Sequence, residues 1–204
     1  MEQYKSILAP NPNLKGLADP NSKEWWENEF RENWRVGIDG VEQTRYFMKR
    51  ILEVIKFSPG VTVLDWGCAM GQGVDELIKA GYDAEGYDFS ETAIETARKM
   101  YPDYTFTYVL PEKTYDAVIT SNCLEHFAEP VKQAAEILQL SRKYLVILTP
   151  YAQTPSDVHP ASINENTFPS ELNDFKLNHV MILPSKEVSY DGGDQILFVY
   201  ERDL

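Results

Sequence analysis

Residues 61–73 read VTVLDWGCAMGQG, an apolar run that passes directly into a turn rich in glycine. The β-branched residues at 61–63 favour a buried strand. Gly67, Gly71 and Gly73 allow a tight turn and let a ligand approach backbone N–H groups without obstruction by a Cβ atom. The stretch therefore predicts the first strand, the cofactor loop and the next helix of an α/β domain.

The sequence after this loop continues the alternation of strands and helices. Strands are predicted at 61–66, 84–88, 104–109, 115–122 and 143–150, and helices at 74–81, 90–101 and 129–140. Two further runs, HVMILP (179–184) and QILFVYE (195–201), are predicted to pair through a Gly-Gly turn at one sheet edge. The expected fold is a Rossmann-like, doubly wound α/β domain: a seven-stranded, mostly parallel sheet with helices on both faces and an antiparallel C-terminal strand.

The other segments are predicted to cover this core within a single domain, 1–204. The divisions are an N-terminal arm with cap helices (1–57), a cofactor-binding core (58–150), a lid loop (151–178) and the C-terminal strands (179–204). The arm (1–21) is irregular, and the helices are expected at 22–34, with aromatic residues Trp25, Trp26, Phe30 and Trp34 along it, and at 40–56. The lid is predicted because 151–178 is polar, contains three prolines and lacks a regular period.

Composition excludes several classes of function. Acidic residues outnumber basic ones 32 to 19, and the net charge of -13 would repel a nucleic-acid backbone. No leader-like start and no apolar run of about 18 residues is present, which predicts a cytoplasmic protein that does not enter a membrane. The two cysteines, Cys68 and Cys123, lack the spacing of metal ligands, so no metal site is predicted. The sequence leaves the oligomeric state open.

The glycine register of the loop bears on the cofactor. A dinucleotide fingerprint reads G-x-G-x-x-G, whereas this loop reads G-x-x-x-G-x-G with Ala69 where a middle glycine would stand. Asp88 ends the second strand, where a carboxylate can accept two hydrogen bonds from a ribose diol. The competing structural interpretation is that Asp88 caps the helix that begins with SETA. The pattern indicates an adenosine cofactor but weakens the case for NAD.

Four successive segments carry a resemblance to a known family: VLDWGCAMGQG, GYDFSETAIETA, YDAVITSNCLEHF and LVILTPY. Together they resemble the motifs of class I S-adenosylmethionine-dependent methyltransferases over residues 61–151. The earlier segment GVEQTRYF (40–47) resembles small bacterial methyltransferases that accompany enzymes of surface-polysaccharide and other glycan biosynthesis. The resemblance implies S-adenosylmethionine as cofactor and a small-molecule acceptor, with an oxygen of a sugar or glycan precursor as the first choice.

The family pattern also implies roles for individual residues. The residues implied to bind the cofactor are Asp65, Gly67, Cys68, Ala69, Gly71 and Gly73 at the methionine part, Asp88 at the ribose, Phe89, Tyr108 and Val109 at the adenine, Asn122 beneath the sulfonium, and Arg45 at the cofactor's carboxylate. Arg45 has the alternative of an exposed or intrahelical ion pair.

Methyl transfer from a sulfonium depends mainly on alignment and on exclusion of water. For a hydroxyl acceptor, neutral His126 is the candidate base and Glu125 the residue that orients it or binds substrate. A purely structural role for His126 stays open, as does acceptor contact by His159 and Glu165. Two rival functions remain: an NAD(P)-dependent oxidoreductase, and a methyltransferase-like binding module without catalysis.

Overall fold

The chain folds around one twisted sheet, which we describe from a computed structural model. The structure describes residues 19–33, 38–184 and 193–203. Most of the predicted arm, Trp34 and the first glycine of the predicted Gly-Gly turn lie outside the described residues.

Five helices and eight strands form the described elements. The helices are α1 (Lys23–Asn28), α2 (Ile38–Val54), α3 (Gln72–Lys79), α4 (Glu91–Met100) and α5 (Pro130–Ile137). The strands are β1 (Thr62–Trp66), β2 (Asp83–Tyr87), β3 (Thr105–Thr107), β4 (Tyr115–Ser121), β5 (Ser141–Pro150), β6 (Glu171–Leu172), β7 (Phe175–Leu183) and β8 (Gln195–Glu201). A π turn at Glu29–Asn33 continues α1, a 3₁₀ turn at Leu124–His126 follows β4, and another at Leu138–Leu140 follows α5.

The sheet has the order β3-β2-β1-β4-β5-β8-β7-β6. Strands β1 to β5 pair in parallel, while β8 runs antiparallel to both β5 and β7. The α/β prediction is confirmed, but the predicted count of seven strands is wrong. The eighth is β6, whose two residues pair with the start of β7. Two residues are too few to show an alternating pattern, so this strand left no signal in the sequence.

Apolar residues cover both faces of the sheet. On one face α2, α3 and α4 bury side chains such as Met48, Leu77 and Ile94 against β1 and β4. On the other face α5 and the segment after β5 bury Ile137, Phe168 and others against β4, β5 and β8. The predicted loop 151–178 is thus only partly irregular, because its last residues form β6 and the beginning of β7.

Helix α1 lies against the ends of the central strands. The Ser22 side chain caps it by accepting a hydrogen bond from the Trp25 N–H at 3.2 Å. Phe30, in the following turn, is buried against Met70 of the glycine-rich loop and Ala93 of α4. The helix therefore covers the point where the strand order reverses between β1 and β4, which is where ligands bind in doubly wound sheets.

None of the helices in the described ranges has both the length and the apolar composition that crossing a bilayer requires.

Candidate active site

The loop after β1 is held in a tight turn by the neighbouring strand. The N–H groups of Gly67 and Cys68 both donate to the carbonyl oxygen of Tyr87, at 2.8 and 3.0 Å. Gly67 and Gly71 adopt φ of 81° and 87°, a left-handed conformation that favours glycine. A Cβ atom on Gly71 would lie 2.6 Å from Cζ of Phe106, so this glycine is also required by packing.

Asp88 ties this loop to the start of α4. Its Oδ2 accepts a hydrogen bond from the Ala69 N–H at 3.0 Å, and its Oδ1 accepts one from the Ser90 N–H at 2.9 Å. The cap of α4 is Ser90, whose Oγ accepts from the Ala93 N–H at 3.1 Å. Each Asp88 oxygen keeps lone-pair capacity beyond its one backbone bond. The carboxylate is therefore positioned both to hold the loop and to accept from a ligand.

Two carboxyl groups lie buried together beneath the loop. Asp65 is 3% exposed and Asp88 is 5% exposed. Burial, followed by the negative charge of Asp88, raises the pKa of Asp65 to about 7. Burial likewise raises the pKa of Asp88 to about 6, against the lowering effect of its two backbone hydrogen bonds. Such a pair suits a ligand that brings positive charge and hydroxyl donors, which fits a cofactor with an ammonium, a sulfonium and a ribose diol.

The residues predicted at the adenine lie at the ends of β2 and β3. Phe89 follows Asp88 directly and is half-buried. Tyr108 and Val109, just after β3, are 41% and 65% exposed. The guanidinium of Arg98 lies 5.9 Å from the centre of the Tyr108 ring. All three side chains retain accessible surface beside the glycine-rich loop, and their contact with adenine stays a prediction.

The loop after β4 begins at Asn122 and turns sharply. Asn122 has φ of 50° and donates its N–H to the carbonyl oxygen of Leu148 at 2.8 Å. The 3₁₀ turn that follows places Glu125 in the interior, where its side chain is 3% exposed, and leaves His126 half-buried. Burial raises the pKa of Glu125 to about 8. Its Oε2 atom is buried and makes no hydrogen bond.

His126 is fixed by contacts on several sides. Its Nδ1 lies 2.9 Å from the carbonyl oxygen of Val158, and its ring meets the rings of Trp26 and His159 edge-on at 4.8 and 4.6 Å between centres. Because a carbonyl oxygen only accepts, this contact requires the proton to be on Nδ1. Burial, followed by the neighbouring His159, lowers the pKa of His126 to about 4, so the ring is neutral at pH 7. Its Nε2 therefore carries a free lone pair.

The segment after β5 folds back over this loop. The Ala152 N–H donates to the carbonyl oxygen of Ile163 at 2.7 Å, and the Ala161 N–H donates to that of Glu125 at 3.4 Å. His159 is brought beside His126 in this way, whereas the sequence left open only a contact of His159 with the acceptor. Glu165 accepts a hydrogen bond from the Tyr151 hydroxyl at 3.0 Å.

Arg45 has partners that the sequence did not reveal. Its guanidinium forms an ion pair with Asp75, donates to Glu76 at 2.7 Å and donates to the Tyr101 hydroxyl at 2.7 Å. Arg45 therefore links α2 to α3 and to the residue after α4, and its half-buried contacts between helices differ from the exposed or intrahelical arginine that was the alternative. A cofactor role for Arg45 stays a prediction that must compete with these bonds.

Two further residues emerge only from the structure. Gln72, at the start of α3, is fully buried, and neither atom of its amide makes a hydrogen bond. Glu27 of α1 accepts hydrogen bonds from the N–H groups of Glu91 and Thr92, at 2.7 and 3.1 Å, and so fixes α1 to the start of α4. The sequence signal for Gln72 was its place inside the glycine-rich motif, whereas nothing in the sequence pointed to the long-range contacts of Glu27.

Known proteins share this sequence pattern and fold. A family model described as a methyltransferase domain matches residues 41–184. Demethylmenaquinone methyltransferase from Renibacterium salmoninarum is 29% identical over 106 residues, which cover 49% of this chain. The match covers 45% of that relative, so the chain spans less than half of its length.

Solved structures agree over more of the chain. Magnesium protoporphyrin IX methyltransferase from Synechocystis PCC 6803, with bound SAH, is 17% identical and has a TM-score of 0.69, covering 89% of this chain and 100% of that one. A 1,6-didemethyltoxoflavin-N1-methyltransferase from Burkholderia thailandensis is 14% identical with a TM-score of 0.65, covering 96% and 93%. At these identities the likeness establishes the shared fold.

Proposed function

This chain belongs to the class I S-adenosylmethionine-dependent methyltransferases, and from that premise we propose that it methylates an oxygen of a small molecule, a sugar or glycan precursor. The names of its relatives state chemically different acceptors: a demethylmenaquinone, a magnesium porphyrin and a toxoflavin precursor. The proposed acceptor therefore depends on the side chains that this chain places beside the cofactor loop. The cofactor is S-adenosylmethionine, which supplies a methyl group on a positively charged sulfur.

Residues around the β1 loop are proposed to hold the cofactor. Asp88 would accept from the ribose hydroxyls, because each of its oxygens has only one backbone partner. Buried Asp65 would stay ionised once positive charge lies nearby, since an opposite charge favours the ionised form. The backbone of Gly67–Gly71 would line the methionine part, where the turn leaves little room for side chains. Phe89, Tyr108 and Val109 would border the adenine, and Asn122 would lie beneath the sulfur.

The observation that carries an oxygen acceptor is the free Nε2 of neutral His126. Strand β4 is adjacent to β1, so the loop that carries His126 ends beside the cofactor loop. A hydroxyl must lose its proton as its oxygen is methylated, and a neutral imidazole can take that proton at pH 7. Glu125 would orient the imidazole or bind the acceptor. The Trp26 ring lies edge-on to His126 and the Trp25 ring lies edge-on to Trp26, so an acceptor beside His126 would meet aromatic surface of the kind that suits a neutral polar molecule.

The first experiment is calorimetric titration of the purified chain with S-adenosylhomocysteine, with NADH in a parallel cell. Micromolar binding of S-adenosylhomocysteine alone supports the assignment of the loop. Binding of NADH in its place would revive the oxidoreductase alternative. Free sugars and nucleotide sugars then follow as acceptors, with release of S-adenosylhomocysteine as the readout. Cofactor binding without turnover of any acceptor would favour the non-catalytic binding module.

Two substitutions separate binding from chemistry. Asp88→Ala is expected to weaken S-adenosylhomocysteine binding by at least about 30-fold, because a hydrogen bond to a charged group contributes about 1.5–3 kcal/mol. His126→Ala is expected to spare that binding and to lower turnover by about 100-fold, the low end for a general base. The matched control is His179→Ala, which removes an exposed histidine on β7. Unchanged turnover in the His126 variant would reject its part in the reaction.

A further inference from the structure

Three potential metal ligands converge on the acceptor side of the site. They are Glu125, His126 and His159, and one ligand atom from each lies within 4.8 Å of those of the other two. Within the described ranges of the chain, this is the one group of three such residues that meets. The first two come from the turn after β4, and the third comes from the segment after β5. Their separation along the chain explains why the sequence predicted no metal site.

Both imidazoles are oriented in the way that metal-bound histidines are. The Nδ1 of His126 is 2.9 Å from the carbonyl oxygen of Val158, and the Nδ1 of His159 is 2.9 Å from Oε1 of Gln153. Each oxygen is an acceptor, so each Nδ1 carries the proton and each Nε2 is left with a lone pair. Donation of the second ring N–H to a carbonyl is the usual outer-shell support of a histidine ligand, and it fixes the tautomer.

Glu125 lacks a partner of the kind that a buried carboxylate requires. Its side chain is 3% exposed, and Oε2 is buried without a hydrogen bond. A buried carboxyl group without a charged partner keeps its proton, whereas buried ionised carboxylates in folded proteins are paired or coordinate a metal. In the described part of the chain, no lysine or arginine forms an ion pair with it, and ligand atoms of His126 and His159 lie within 4.8 Å of it. A bound cation would supply the missing partner.

We propose that Glu125, His126 and His159 bind one divalent transition-metal ion. Two imidazole nitrogens and one carboxylate oxygen are a ligand set for Zn²⁺, Mn²⁺ or Fe²⁺, and three protein ligands leave coordination positions open. Tetrahedral Zn²⁺ separates its ligand atoms by about 3.3 Å, so the side chains have to close by about 1.5 Å at most.

The open positions would take an oxygen of the acceptor, a role that rests on the proposed function. A metal-bound hydroxyl would release its proton to water more readily than a free one, and its oxygen would then take the methyl group as S-adenosylhomocysteine leaves. The Nε2 of His126 is then a ligand rather than a base, so the ligand role and the base role of this residue exclude each other. The metal-binding measurement decides between them.

The test is calorimetric titration of the chelator-treated full chain with ZnCl₂ and, separately, with MnCl₂. The wild-type chain is expected to bind one ion of at least one of these metals. Glu125→Gln and His159→Ala are each expected to weaken binding by at least about 100-fold, because loss of an outer-shell partner alone costs about 10–100-fold. Gln153→Leu, which removes no ligand, is expected to weaken it by about 10-fold. The matched control His179→Ala is expected to bind as the wild type does.

Binding of neither metal by the wild type would overturn the proposal. An equal loss of metal binding in the His159 and His179 variants would overturn the proposal as well. Far-UV circular dichroism of each variant excludes unfolding as the cause, and the Gln153 variant keeps the test valid if a ligand variant does not fold. Titration with S-adenosylhomocysteine is run on the same samples. Cofactor binding without metal binding rejects the metal site alone, whereas metal binding without cofactor binding rejects the proposed function alone.

Discussion

Asp65→Asn is expected to stabilise the cofactor-free chain, increasingly so as the pH rises from 5 to 8. Asparagine has nearly the same shape, so it preserves the contact between this side chain and Gly73 while removing the charge. The pKa of Asp65 is raised by burial to about 7. A raised carboxyl pKa means that the folded state holds the proton more tightly than the unfolded state does. Proton binding by Asp65 therefore favours the folded state at low pH, and this contribution to stability is lost as the pH rises toward 7.

The magnitude follows from the two pKa values. Between the ordinary value of 3.8 and about 7, at about 1.4 kcal/mol for each pH unit, the ionised carboxylate costs about 4 kcal/mol above pH 7. At pH 5 less than half of that cost has developed, so the variant gains about 2–3 kcal/mol over the wild type between pH 5 and pH 8. Asp65 is 3% exposed, so screening by solvent reduces this figure little.

The assay is urea unfolding at pH 5, 6, 7 and 8, followed by tryptophan fluorescence, with wild type and variant compared at each pH. Asp116→Asn is the matched control of opposite sign. Hydrogen bonds from Thr62, chiefly from its backbone N–H, and from Arg142 lower the pKa of Asp116, so that variant should be less stable than the wild type by the same amount at all four pH values. Parallel stability curves for wild type and Asp65→Asn from pH 5 to pH 8 would refute the reasoning. Asp65→Asn is also expected to lower cofactor affinity, because a buried charge that destabilises the free chain is one that the ligand site uses.

The remaining predictions concern packing and ion pairs. Gly71→Ala should lower the free energy of unfolding by at least about 2 kcal/mol, because the added Cβ would clash with Phe106. Gly81 has a similar φ but open space around it, so Gly81→Ala should lower the free energy of unfolding by only about 1 kcal/mol. Equal losses of stability in urea unfolding would contradict the packing argument. Glu27→Gln should lower the free energy of unfolding by about 1 kcal/mol, because an amide replaces the carboxylate that accepts from two N–H groups at the start of α4. An unchanged midpoint of thermal unfolding would reject a stabilising role for this contact. Arg45→Met should cost about 3 kcal/mol, because Asp75 and Glu76 would lose their half-buried partner and keep only exposed lysines. The affinity for S-adenosylhomocysteine should stay within about twofold. Loss of that affinity without loss of stability would instead restore a cofactor role for Arg45.

Local patterns in the sequence predicted most of the fold. The run QILFVYE coincides with β8, and Ser90 caps α4 as its position before an acidic first turn indicated. These features depend on residues close together in the chain. The sequence did not predict the place of β8 between β5 and β7, because a continuous apolar run indicates a buried strand but does not name its neighbours.

The partners of charged residues were the least predictable part of the site. Arg45 was expected either at a cofactor carboxylate or as an exposed or intrahelical arginine, and it contacts two residues of α3 and the residue that follows α4. Asp88 was correctly placed at the end of β2, yet its bond to Ala69 depends on a loop conformation with φ of 47° that an alanine rarely adopts. Long-range contacts of this kind follow from packing and leave no periodic signal.

The convergence of Glu125, His126 and His159 shows how topology and loop structure combine. Strands β4 and β5 are parallel neighbours, so the segments that follow them begin at the same edge of the sheet. Adjacency alone does not bring His159 to the turn after β4, because it lies well beyond the end of β5. That placement requires the segment to fold back, through the hydrogen bonds of Ala152 with Ile163 and of Ala161 with Glu125. The proposed chemistry of the acceptor side thus depends on backbone hydrogen bonds donated by two alanines that carry no functional side chain.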